Sequence, residues 1–134
     1  MAAKQGHIWA QYYLADSYKN AESAPLKAKK AFKWYQLAAN QGLSDAQFKS
    51  GVCYEKGEGV MPNYKKALYW YHLAARQHSA IAQLRIAKMY IFGFGVSKNL
   101  FQAYKWTKLA VKNIRNTGQS FKNGYKEEFI KSMF

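Results

Sequence analysis

The residues able to do chemistry in this chain are few and poorly grouped. Its histidines are His7, His72 and His78. None stands four residues from another, and none has a cysteine at ligand spacing, so no zinc pattern is present. The one cysteine, Cys53, has no histidine placed to take its proton, and a small core thiol is expected there rather than a nucleophile. Gly57-Glu58-Gly59-Val60 and Gly93-Phe94-Gly95-Val96 look at first like phosphate cradles. Both lack the lysine and the preceding strand that a cradle needs, so their glycines are expected to serve loop geometry. No catalytic set, metal site or cofactor is expected.

Charge is the stronger signal. The chain has 134 residues, 21 Lys+Arg against 7 Asp+Glu, and a formal charge of +14. At 49% apolar and 17% aromatic residues it is far too apolar for a disordered basic tail. It reads as a single domain, 1–134, able to bury a core. A lone cysteine cannot form an internal disulfide, and the opening MAAKQGHIWAQYY has no secretory pattern. No apolar run approaches the roughly 18 residues of a membrane span. A cytoplasmic protein is the expectation. Between Glu58 and Glu127 there is no acid at all. The basic positions include Lys29, Lys30, Lys33, Lys65, Lys66, Lys105, Lys108 and Lys112. They form either a solubilising face or a surface for an acidic protein or, less favoured, nucleic acid.

The elements that carry these residues follow from an internal repeat. Trp34, Trp70 and Trp106 are spaced by 36 residues, and so are Tyr18, Tyr54 and Tyr90. The same step relates Ala10-Gln11 to Ala46-Gln47 and Ala82-Gln83, and Gln5 to Gln41 and Gln77. Ala31, Ala67 and Ala103 keep step, as do Leu37-Ala38, Leu73-Ala74 and Leu109-Ala110. Three ungapped repeats result, 5–40, 41–76 and 77–112. Each holds two amphipathic helices, the first expected near 8–19, 44–56 and 80–92, the second near 27–40, 63–76 and 99–113. Gly57 and Gly93 suit left-handed C-caps, and Asn63 and Asn99 suit N-caps. An all-α solenoid of stacked helical hairpins is predicted. After Val111 the period is lost. Residues 114–120 read as a linker, and Phe121, Tyr125 and Phe129 mark a capping helix near 119–133. Ala2-Ala3-Lys4-Gln5-Gly6 matches Ala38-Ala39-Asn40-Gln41-Gly42, so it reads as the end of a preceding second helix.

The run Ala46-Gln47-x-x-x-Gly51-x-x-Tyr54-x-x-Gly57-x-Gly59-Val60, followed by Ala67-x-x-Trp70-Tyr71-x-x-Ala74-Ala75, resembles the Sel-1-like repeat, a 36-residue relative of the tetratricopeptide repeat. The resemblance covers residues 2–112. The first repeat departs from it at Ala21-Glu22-Ser23-Ala24-Pro25, where the glycine loop is replaced and a different turn is expected. The resemblance implies a non-enzymatic adaptor or scaffold, of a kind frequent in bacteria, that holds a protein partner in a concave groove lined by the first helices. The groove candidates are Trp9, Tyr12, Asp16 and Lys19, then Asp45, Phe48, Val52 and Glu55, then Ile81, Leu84, Lys88 and Ile91. Trp9, Asp16, Glu55 and Lys88 change chemistry from repeat to repeat, which marks them as free for contact. Tyr12, Phe48 and Leu84 are apolar in every repeat, and packing between hairpins explains them equally well. A bacterial immunity protein that occupies a toxin is one alternative. Binding of nucleic acid through the lysine face is another.

Overall fold

The structure, a computed structural model, describes residues 2–20 and 25–117, with side chains placed over 7–17 and 26–116. The described elements are all helices: α1 (Ala2–Asn20), α2 (Pro25–Asn40), α3 (Ser44–Lys56), α4 (Tyr64–Arg76), α5 (Ala80–Phe92) and α6 (Leu100–Thr117). α1 packs with α2, α3 with α4 and α5 with α6 as hairpins, and α2 on α3 and α4 on α5 join one hairpin to the next.

The chain dictates these boundaries locally. Gly57 (φ 74°) and Gly93 (φ 72°) close α3 and α5 in the left-handed region, where a Cβ is disfavoured. The Asn63 and Asn99 side chains accept the N–H of Lys66 and Gln102, each at 3.0 Å, and so cap α4 and α6. The second glycine of each loop has a different reason. A Cβ on Gly59 would fall 2.2 Å from the Ala28 carbonyl oxygen, and one on Gly95 would fall 2.9 Å from the Tyr64 carbonyl carbon. Each loop is pressed against the second helix of the preceding repeat, so these glycines weld hairpins together.

An amide ladder runs through the same joints. Gln41 Nε2 donates to Gln11 Oε1 at 2.8 Å, Gln77 Nε2 to Gln47 Oε1 at 2.9 Å, and Asn113 Nδ2 to Gln83 Oε1 at 2.8 Å. Gln47 and Gln83 in turn donate to the carbonyls of Ala39 and Ala75. Gln47, Gln83 and Asn113 are buried and need such partners, whereas Gln41 and Gln77 are exposed and supply the donor that the inner glutamine oxygen accepts. Trp70 fills the space between Ala38, Ala39 and Ala46, and Trp106 meets His72 of the preceding hairpin edge-on at 5.3 Å.

Three expectations change. α1 runs straight through Gln5-Gly6, whereas Gln41-Gly42 forms a turn closed on the Ala38 and Ala39 carbonyls of a helix before it. α6 continues to Thr117 rather than yielding to a linker at 114. The cause is the residue at the turn: Gly42 (φ 94°) and His78 (φ 66°) take positive φ, but the equivalent Ile114 is β-branched and stays helical. The period also persists to Asn113, the third member of the ladder. The expected capping helix near 119–133 and the first repeat's turn at 21–24 lie outside the described residues.

Candidate partner-binding surface

The first helices α1, α3 and α5 carry the candidates. In α1, Trp9 is 40% exposed, stacks with Tyr13 and meets Tyr12 edge-on, both at 5.7 Å. It borders a shallow cavity of about 310 Å³ with Ile8, Gln41, Gly42 and Leu43. The equivalents of Trp9 are exposed Asp45 and half-buried Ile81, so this column faces outward in each repeat.

Val52 and Leu84 do not belong to any contact surface. Val52 is 5% exposed and packs in the core with Tyr71, Ala75 and Ile86; Leu84 is fully buried among Ala80, Ala110 and Ile114. Val52 is shut between α4 of its own hairpin and α5 of the next, and Leu84 faces the second helix of its own hairpin. Tyr12 and Phe48 lean the same way, half-buried against Tyr35 and Tyr71 at 5.8 and 5.7 Å.

The charged candidates are tied to one another. The Glu55 side chain, 8% exposed, accepts the Tyr71 hydroxyl at 2.7 Å and pairs with Lys88 at 3.4 Å and Arg85 at 3.7 Å. Asp16 accepts the Tyr35 hydroxyl at 2.5 Å. Asp16 and Glu55, expected to be free for contact, therefore anchor tyrosines, because a buried phenol needs an acceptor. Burial, reinforced by the neighbouring carboxylate, pushes the pKa of Tyr35 and Tyr71 far above the ordinary phenol value; burial chiefly does so for Tyr12. All three remain neutral at any physiological pH. Lys88 keeps 31% of its side chain exposed and Ile91 is half-buried, so both border the surface. The side chain of Lys19 lies outside those described.

One apolar face was missed by reading columns alone. Ala10, Tyr13 and Leu14 of α1 are exposed, although the equivalents of Ala10 and Leu14 (Ala46 and Ala82, Ser50 and Ile86) are buried. In α3 and α5 the preceding hairpin covers those positions; no described hairpin packs on that side of α1.

The other residue types fall as follows. Lys29, Lys30, Lys33, Lys65, Lys66, Lys105, Lys108 and Lys112 are all exposed on the second helices. Lys66 sits over the Tyr54 ring and Lys105 over the Phe101 ring, at 5.6 and 5.5 Å. Cys53 is buried. His78 occupies the inter-hairpin turn, and His72 is half-buried, its pKa lowered by desolvation and then by the Arg76 charge. Among the described residues no three His, Cys, Asp or Glu converge as a metal site, and no helix is long and apolar enough to cross a membrane.

Consecutive hairpins stacked through shared glycine contacts and an amide ladder define an α-solenoid of helical repeats. The chain belongs to the Sel1 repeat family, whose profile matches residues 10–43, 44–79 and 80–113. A Sel1 repeat protein from Oxalobacter formigenes is similar in structure, with a TM-score of 0.71 and 35% identity over 81% of this chain and 45% of that one. A protective antigen present in uropathogenic Escherichia coli strains, displaying an SLR fold, has a TM-score of 0.72 and 27% identity over 98% of this chain and 30% of that one. The chain thus spans less than half the length of either. These bacterial neighbours suggest a bacterial origin. No curated protein matches the sequence. Folds of this family are generally protein-interaction modules.

Proposed function

We propose that the chain is a non-enzymatic interaction module that holds a protein partner along its first helices, with Trp9 of α1 as the principal anchor and Asp45 of α3 and Ile81, Lys88 and Ile91 of α5 further along the same face. The observation that carries this reading is exposed Trp9, beside a shallow cavity and braced by exposed Tyr13 and half-buried Tyr12. Exposed, mutually braced aromatics lose little side-chain freedom on binding and dominate interface energetics. The reading follows the family's usual role and adds the surface, which is narrower than the twelve-residue groove expected from sequence. An acidic partner surface fits the exposed Lys29, Lys30, Lys33, Lys65 and Lys66, which would steer its approach from α2 and α4.

Photo-crosslinking tests the surface. A photoreactive residue at Trp9 or Asp45 is expected to capture the same partner from native lysate, and one at Lys65 is expected to capture it weakly. Capture from Lys65 alone would move the interface to the second helices. A second reading, polyanion binding, is favoured by that lysine face and predicts retention of mixed-sequence RNA with a steep salt dependence.

A further inference from the structure

The three-fold repeat shows which face of α6 no other described helix covers. Tyr104 is equivalent to Phe32 and Leu68. Phe32 packs edge-on against Tyr54 of the next hairpin at 5.3 Å, and Leu68 packs on the cluster that holds Ala82, Ile86 and Met89 of the next hairpin. Tyr104 itself is 56% exposed. Val111 is equivalent to Ala39 and Ala75, both buried and both giving their carbonyls to a glutamine of the next hairpin. In α6 these positions instead border a cavity of about 540 Å³, with Lys108, Lys112 and Arg115 at its edge. The joint that is filled twice by a following helix has no described helix on it a third time.

We propose that residues 118–134 of this same chain occupy that face. The sequence matches the site in three ways. The segment follows directly from the end of α6, so the distance to the cavity is short. Phe121, Tyr125 and Phe129 fall at i, i+4 and i+8, one apolar stripe in helical periodicity, of a size to cover Tyr104 and Val111. Glu127 and Glu128 are the first acids after Glu58, and Glu128 flanks the apolar stripe, on the side that would face Lys108, Lys112 and Arg115. Charge pairing of this sort fixes register more than it adds affinity. The segment thus replaces the first helix of a fourth hairpin, and the lysines at this end of the molecule are neutralised rather than offered to a partner.

Hydrogen–deuterium exchange on the intact chain, at two protein concentrations, tests this. Amides of 118–134 are expected to exchange at least about tenfold more slowly than unprotected peptide, independently of concentration. Val111→Asp should abolish that protection while α3–α5 keep theirs. Lys108→Glu with Lys112→Glu should weaken it, and adding Glu128→Lys should restore part of it, which keeps the test decisive if Val111→Asp unfolds. Unprotected amides in the wild type would overturn the proposal. So would protection untouched by Val111→Asp, failure of the charge swap to restore it, or protection that grows with concentration alongside dimer formation, which would put a second copy on this face.

Discussion

The ring of Tyr71 lies across Gly51: a Cβ built on that glycine would stand 2.5 Å from the ring edge. The close approach lets the hydroxyl reach Glu55, one turn further along α3, which in turn pairs with Lys88 of the next repeat. The first repeat has Ala15 at this position, and there Tyr35 stops at Asp16 instead. Repeat one has Lys19 at the Glu55 position and repeat two has Val52 at the Asp16 position, so each tyrosine engages the carboxylate its own repeat supplies, and of the two the Glu55 arrangement links onward to the next hairpin.

Gly51→Ala follows as the first prediction. In a helix interior the change should gain roughly 1 kcal/mol from propensity, but displacing a fully buried ring that is hydrogen-bonded should cost about 1–3 kcal/mol. Net destabilisation is expected in urea unfolding. Tyr71→Leu, which removes the ring, should make the added Gly51→Ala neutral or stabilising; an unchanged cost in both backgrounds would show that the ring is not the obstacle.

The weld between loop and preceding helix gives a second. Gly59→Ala places a Cβ against backbone at positive φ, where nothing flexible can yield, and should lose about 2 kcal/mol or more. At Gly57 the nearest atoms belong to the Pro62 ring, so Gly57→Ala combined with Pro62→Ala should recover part of its loss. Equal losses at Gly59 and in the Gly57–Pro62 double variant, measured by thermal unfolding, would argue against a backbone weld.

Removing one rung of the amide ladder gives a third. Gln77 donates both to Gln47 and to the Gly42 carbonyl. Gln77→Ala should cost about 1–2 kcal/mol, because the Gln47 oxygen loses its donor in a half-buried site. Gln47→Met in the same background should add little further. Additive losses from the two substitutions would show that they act separately.

Acid sensitivity should centre on His72. Its folded pKa is lowered from the ordinary value, first by burial against Trp106 and then by Arg76. A histidine depressed in the fold binds its proton more readily when unfolded. Stability is therefore full above about pH 6.5 and is lost as pH falls through the lowered folded value. His72→Gln, which copies Gln36 of the first repeat, should flatten the change in urea midpoint between pH 7.5 and 5 relative to the wild type. Identical slopes would remove His72 as the cause.

Much of this was legible in the spacing. Repeated Trp, Tyr and Ala-Gln positions place the helices, and Gly57, Gly93, Asn63 and Asn99 end and start them as expected. The rest depends on neighbours in space. Ala10 and Leu14 share a column with buried residues yet are exposed, because burial at that position comes from another hairpin. Leu84 is buried within its own hairpin, whereas Val52 is buried partly by Ile86 of the next one. Variation at Asp16 and Glu55 suggested freedom; it reflects two tyrosines finding different acceptors. The role of Ile114 in carrying α6 past the turn could be read only once Gly42 and His78 were seen at positive φ.

The central claim is that the partner is held by the first-helix surface and steered by the lysines. Partner association measured by surface plasmon resonance over a series of salt concentrations, once crosslinking has supplied the partner, tests it most directly. Trp9→Ala should weaken affinity by about 1–3 kcal/mol through faster dissociation. Lys65→Glu with Lys66→Glu should slow association and flatten its salt dependence, leaving dissociation nearly unchanged. Normal binding by Trp9→Ala and Asp45→Lys, with binding abolished by the paired lysine reversals, would contradict the account and place the interface on the second helices.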